Sequence, residues 1–370
     1  VKTDPEDIPE PDRVPGAPHP RMTRRIIGQD HAIAEFIEAE RSGRFHHAWL
    51  LTGPRGVGKA TLAWAIARWL LSGAASDDLS VPEGDPAARR LAALSEPALQ
   101  LIRRPWDDKA SRLRAEITVD EIRRLLSFFH MSATDGGRRI AIVDAADEMN
   151  TAAANALLKV LEEPPRDGLI LMVAHQPARL LPTIRSRCRT LRLNPLTPDQ
   201  MTEALSGLGI SEDAEALAAL SGGSVGEALR LSGQDGLARY QQIVDLFGTL
   251  PRMDRLAAAR LADAAAGRAN ADGDPFDLMV TLLDRFLTRT ARAGLMGAPL
   301  PQAARHEGAL MARISPDDRA ARDWAGAQAR LSARARSGRA VNLDPAALVM
   351  DMLTELAHLP PAQSALPAKG

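Results

Sequence analysis

The chain is 370 residues long and 45% hydrophobic, enough for a large buried core divided into two or three domains. Its 46 basic and 47 acidic residues leave a formal net charge of -1, and only 4% of residues are aromatic. Those numbers argue against a chain coated in basic residues for tight nucleic-acid binding, though they leave room for a local basic patch, and against a stacking platform for single-stranded bases.

Residues 1–20 carry Pro5, Pro9, Pro11, Pro15, Pro18 and Pro20 among several acids, and predict a disordered or extended proline-rich tail. Ile26-Ile27-Gly28-Gln29 leads into a helix from Asp30 to about Arg41, with Ile33, Phe36 and Ile37 on one face. The apolar run Ala48-Trp49-Leu50-Leu51 predicts a buried strand. Leu62 to Leu71 predicts an amphipathic helix, with Trp64 and Trp69 in the core. Residues 73–88, rich in Gly, Ser, Asp and Pro, predict a surface loop, and Pro97 to Arg103 a short strand. Thr118-Val119-Asp120-Glu121 fits a capping box that opens a helix running to about His130. A turn at Gly136-Gly137 precedes a second apolar strand, Arg139 to Val143, with Asp144 at its end. Asn150 caps a helix holding Ala153 to Leu161, which Glu163-Pro164-Pro165 stops. Leu169 to Ala174 and Arg189 to Leu193 add two more strands. Apolar strands alternating with helices predict a parallel sheet covered on both faces.

Beyond Pro195 the texture is helical throughout. Thr197-Pro198-Asp199-Gln200 is another capping box, Gly222-Gly223 breaks a small helical unit, and further helices start at Ser315-Pro316 and Asp344-Pro345. The expected organisation is a tail over 1–20, an α/β domain over 21–195, a small helical domain over 196–235 and an all-helical domain over 236–370. Without an apolar stretch of about 18 residues or a signal-peptide pattern, the expectation is a cytoplasmic protein with no membrane partner.

Between the first strand and its helix, Gly53-Pro54-Arg55-Gly56-Val57-Gly58-Lys59 fits the first seven positions of the phosphate-loop pattern G-x-x-x-x-G-K-[ST]. The glycines let backbone amides approach phosphate oxygens, the helix N-terminus adds a favourable dipole, and Lys59 reaches the terminal phosphates. The eighth position should carry a magnesium-binding hydroxyl and is Ala60. Thr61 is next door, turned away by roughly 100° along the helix. A nucleotide hydrolase also needs a strand-end acid for magnesium, and usually a second acid to activate water. Asp144 fits the first role, unless it merely caps a turn. The adjacent position is Ala145, while Asp147 and Glu148 belong to the following turn. The single cysteine, Cys188, can form neither an internal disulfide nor a cysteine-based zinc site, and no nearby histidine marks it as a nucleophile. His46-His47 reads as a structural or surface pair. No metal ligands are assigned.

In order and spacing, several stretches together resemble the clamp-loader branch of the AAA+ ATPases of bacterial replication. They are Gly53 to Lys59, Asp144-Ala145-Ala146-Asp147, Asn155 to Lys159 with Leu161-Glu162-Glu163-Pro164-Pro165, and Ser186-Arg187-Cys188. The resemblance covers about residues 21–235 by motif and the remaining helices only in class. It implies a P-loop (AAA+) domain, a helical lid, and a C-terminal collar that holds a ring of subunits together. Active members resemble one another in a complete loop, a strand-end Asp-Glu pair and a lid arginine. Here Ala60, Ala145 and Gly226, the last within Gly223-Ser224-Val225-Gly226-Glu227-Ala228-Leu229, stand at those places.

The resemblance therefore implies a non-hydrolysing structural subunit. It would act beside gamma/tau- and delta-type subunits to load the sliding clamp onto primed DNA. Gly53, Pro54, Arg55, Gly56, Val57, Gly58, Lys59, Thr61 and Asp144 would form a degenerate nucleotide site. No cofactor would be required, and ATP or ADP would bind weakly or not at all. Many relatives carry a zinc module after the loop helix; residues 73–105 contain no cysteine, so no zinc is expected. Arg187 departs from this pattern of loss: in the family, the Ser-Arg-Cys arginine projects as a finger toward ATP held by a neighbour. The alternative is a solvated arginine in the basic run Arg185 to Arg189. Two other readings compete, an ATP-hydrolysing motor subunit of the same machine and a phosphate-loop kinase. The kinase leaves Asn155 to Pro165 and the helical C-terminus unexplained.

Overall fold

The computed structural model describes residues 10–359 apart from 16, 44, 131–136 and 269–272. The expectations for residues 1–9 and for Gly136 lie outside the described residues. Contacts divide the chain into two compact units, Val1–Gln200 with Gly223–Gly226, and Met201–Gly222 with Glu227–Gly370. Residues expected as a separate lid and collar thus fall in one unit, except for 196–200 and 223–226.

In the first unit seven strands form, in chain order β1 (Ala48–Thr52), β2 (Leu99–Ile102), β3 (Trp106–Asp107), β4 (Arg112–Leu113), β5 (Arg139–Asp144), β6 (Gly168–Ala174) and β7 (Arg189–Arg192). Five of them pair in parallel in the order β2-β5-β6-β1-β7, and β3 with β4 makes a small hairpin that the sequence did not announce. The helices are α1 (Asp30–Arg41), α2 (Lys59–Ser72), α3 (Pro86–Ala92), α4 (Val119–His130), α5 (Thr151–Glu162) and α6 (Pro182–Arg185). Side chains alternate across a strand, so each apolar run feeds two cores. Trp49, Leu51, Ile140, Ile142, Leu171 and Val173 pack with Phe36, Leu62 and Ile66 on one face. Leu50, Ala141, Val143, Ile170 and Met172 pack with Ile122, Leu125 and Leu157 on the other. Trp64 and Trp69 are buried in the first core, as expected.

Local chemistry shifts several boundaries. The loop expected over 73–88 gives way to α3, because Asp85 accepts from the Ala88 amide at 2.8 Å and Pro86 supplies the first helical position. The capping box at Thr118 does not close: its Oγ1 is buried without a hydrogen-bond partner, and Glu121 pairs with Arg124 at 2.6 Å. The box at Thr197 does close, with Gln200 N donating to Thr197 Oγ1 and Thr197 N to Gln200 Oε1.

The Asp12 side chain, Ala17 and His19 are buried, which corrects the expectation of a disordered tail for this part of 1–20. The Asp12 side chain is fully buried, 2.6 Å from Arg103 Nη1 and 3.0 Å from His19 Nε2. Glu10 pairs with Arg21 at 2.5 Å, and the buried His19 ring sits edge-on to Trp64. Burial alone would raise the Asp12 carboxyl, but the His19 hydrogen bond and the Arg103 charge more than offset it and hold it below its usual range. Sequence composition could not show this pairing, because the partners lie up to 91 residues away.

The second unit is helical. It contains most of α7 (Pro198–Ser206), then α8 (Ala214–Ser221), most of α9 (Val225–Gly233), α10 (Gly236–Gly248), α11 (Arg255–Ala265), α12 (Pro275–Met296), α13 (Glu307–Ile314), α14 (Asp318–Ala340) and α15 (Pro345–Ala357). The helix expected at Ser315 starts at Asp318, where Asp317 caps the Ala320 amide; Asp344 caps α15 as read. Phe247, Phe286 and Trp324 form an aromatic cluster. The wholly buried Glu307 carboxylate accepts from Arg289 at 2.7 and 2.9 Å, from Tyr240 Oη at 2.6 Å and from the Ala303 amide at 2.7 Å.

Candidate functional site

The loop Gly53 to Lys59 leaves β1 at the carboxyl edge of the sheet and opens α2, as the motif requires. Gly53, Gly56 and Gly58 have φ of 143°, 76° and 98°, a region that favours glycine. Every carbonyl from Gly53 to Val57 is taken by a donor of this chain. Lys59 Nζ donates to Gly53 O at 2.7 Å and Pro54 O at 2.6 Å. Ser224 Oγ donates to Arg55 O, the Gly226 amide to Gly56 O at 3.1 Å, and Gln29 Nε2 to Val57 O at 3.2 Å.

At Gly226, where the resemblance places a lid arginine, the fold leaves no room for a side chain. A Cβ there would lie 2.9 Å from Gly56 Cα and 3.5 Å from Val14 Cγ2, so any larger residue must push the segment off the loop. Gln29, unassigned in the sequence, is 4% exposed and also exchanges hydrogen bonds with the Asn194 backbone, tying the loop to the chain beyond β7.

Asp147 and Glu148 are held within the chain, and Asp144 is buried. Asp144 is 6% exposed; burial, with Asp12 and Glu148 nearby, pushes its carboxyl up to about 7. Burial pulls the Lys59 amine down to about 8 against the attraction of Asp144 and Asp147. Asp147 accepts from the His175 and Gln176 amides at 2.9 and 3.0 Å, and Glu148 lies 2.8 Å from Arg104 Nε. Magnesium does not fit this donor set: Ala60 offers no side-chain oxygen, and Asp147 and Glu148 are already engaged by backbone amides and Arg104. His175, which sequence reasoning missed, follows β6 directly; burial and then the Lys59 and Arg55 charges hold its imidazole down to about 4. Its signal was position, the first residue past an apolar strand on the ligand-bearing edge of a parallel sheet.

Arg187 lies apart from the loop residues, just past α6. That turn is held by its own side chains: Ser186 Oγ donates to Thr183 O at 3.1 Å, Cys188 Sγ to Ile184 O at 3.0 Å, and Arg187 Nη1 to Thr183 O at 3.1 Å. Burial pushes the Cys188 thiol up to about 12, so it is a packing group rather than a nucleophile. The Arg187 side chain is 38% exposed, and Nη2 lies 3.0 Å from Glu162 Oε1.

A parallel sheet in this order, with a glycine loop opening a helix and an acid ending the strand two places away, defines a phosphate-loop α/β domain followed by helices. The family model for the DNA polymerase III delta subunit matches residues 28–197. Over that stretch the chain resembles delta-prime subunits of DNA polymerase III. It is similar to DNA polymerase III subunit delta-prime of Pseudomonas aeruginosa, 37% identical over 233 residues that cover 59% of this chain and 65% of the relative. The delta-prime subunit of Bacillus subtilis is 32% identical over 210 residues, covering 56% and 60%. A gamma/tau subunit of Mycobacterium bovis is 30% identical over 291 residues, covering 72% and 49%. The chain thus spans less than two thirds of the length of these relatives. Among the described residues, no helix is long and apolar enough to cross a membrane.

Proposed function

We propose that the chain is a non-hydrolysing subunit of a replicative clamp loader. It donates Arg187 to ATP held by a neighbouring gamma/tau-type subunit and helps to load the sliding clamp onto primed DNA. The observation that carries this reading is the contrast between a loop whose carbonyls are all taken internally, with Gly226 seated on Gly56, and a partly exposed arginine on a rigid turn. A guanidinium reaching a neighbour's ATP neutralises charge on the transferred phosphoryl group, and such fingers are worth roughly 10³–10⁵ in rate at the site they serve. The chain's own pocket binds ATP or ADP weakly or not at all and needs no cofactor.

The test has two arms. Purified alone, the chain should show near-zero ATP turnover; steady turnover would favour the gamma/tau-like motor reading instead, which relatives of that kind keep in view. Reconstituted with its partner subunits, Arg187→Ala should assemble normally but slow ATP hydrolysis. Unchanged turnover would remove the finger role.

A further inference from the structure

The Ser186-Arg187-Cys188 turn and the Glu162-Glu163-Pro164-Pro165 stretch are far apart in sequence but meet in the fold. Helix α5 ends at Glu162, because Glu163 leaves helical geometry and two prolines follow. That stop leaves the Glu162 carboxylate on the last turn, facing the turn after α6. Its Oε1 lies 3.0 Å from Arg187 Nη2, while Arg187 Nη1 donates to Thr183 O at 3.1 Å. One terminal nitrogen is held by each helix end, and the fork is fixed in plane. A guanidinium has five N–H donors, so three remain for phosphoryl oxygens.

We propose that Glu162 is a positioning residue for Arg187, holding the guanidinium in the orientation in which it meets a neighbour's ATP. This rests on the finger reading above. Glu162 touches neither nucleotide nor water in this proposal; it acts only through the arginine. Both side chains are partly exposed, 50% for Glu162 and 38% for Arg187, so the pair adds little to stability in water. Its contribution is orientation in advance, since an arginine already held in one rotamer has less freedom to lose when it engages.

The experiment uses the reconstituted complex with sliding clamp and primed DNA, and measures ATP turnover against ATP concentration. Glu162→Ala should lower kcat by roughly three- to tenfold with KM unchanged, the signature of a lost orienting contact. Glu162→Gln, which keeps an acceptor oxygen, should recover part of the loss. In an Arg187→Ala background, Glu162→Ala should add nothing, because the residue it acts through is gone. Wild-type kcat in Glu162→Ala overturns the inference, as does a further loss on top of Arg187→Ala. If Arg187→Ala itself leaves turnover unchanged, the finger reading falls first. Subunit incorporation, read by size exclusion, must be equal for all variants; failure of Glu162→Ala and Glu162→Gln to assemble assigns the carboxylate to the interface and also overturns it.

Discussion

Replacing Gly226 with alanine tests whether the lid segment is seated on the phosphate loop. At an open helical site, Gly→Ala stabilises by up to about 1 kcal/mol. At Gly226 the new methyl would meet Gly56 Cα at 2.9 Å, a backbone atom that cannot rotate aside. Overpacking of that kind costs about 1–3 kcal/mol. With a urea slope of roughly 2 kcal/mol per molar, a central value of about 2 kcal/mol lowers the unfolding midpoint by about 1 M. Tryptophan fluorescence reports on the right part of the chain, because Trp49, Trp64, Trp69 and Trp106 all lie in the first unit and only Trp324 in the second. Gly137→Ala is the control, since it lies in the same unit and a Cβ there meets nothing within 4 Å. A Gly226→Ala protein as stable as the wild type, or more stable, would refute the seating and with it the steric reason for the absent arginine.

Other outcomes follow from the same geometry. The Asp144 carboxyl is raised from its ordinary 3.8 to about 7, so the folded state binds more protons than the unfolded state between those values, and stability falls as pH rises through that window. Asp144→Asn should remove that slope and gain on the order of 1–4 kcal/mol at pH 7.5 relative to pH 4, measured by urea unfolding at both; an unchanged slope would refute it. Glu307→Ala strands a buried Arg289 and should destabilise the helical unit by about 3–5 kcal/mol, seen in the Trp324 signal of a protein whose other tryptophans are changed to phenylalanine. Isothermal titration of ATP into the isolated chain should give a dissociation constant well above low micromolar; a low-micromolar value would show that the loop opens easily.

Periodicity carried the sheet and the main helices, because strands such as Ile140 to Val143 must be apolar on both sides when helices cover both faces. Capping chemistry carried the start of α5, where Asn150 accepts from the Ala153 amide. The hairpin β3–β4 was too short for any pattern to register, and Thr118 looked like a cap because the local spelling says nothing about what the helix packs on. At the site, the losses at Ala60, Ala145 and Gly226 were readable residue by residue. Their steric logic was not, since Gly226 and Gly56 are separated by 170 positions and meet only in the fold. Glu162 was visible as part of a motif, but its carboxylate could be linked to Arg187 only once α5 and α6 were placed side by side.

The packed segment from Glu10 to His19 has a practical corollary for handling the protein. Arg21 and Arg103 draw their counter-ions from Glu10 and Asp12, and Arg103 is only 24% exposed. A shortened version beginning at the helix-forming region near Ile26 looks safe from composition, yet it would leave one guanidinium half-sunk beside the sheet with no anion to answer it. Expression boundaries and fusion tags therefore belong ahead of Glu10, and a protease that nicks between Asp12 and His19 should loosen the domain well before it reaches the loop.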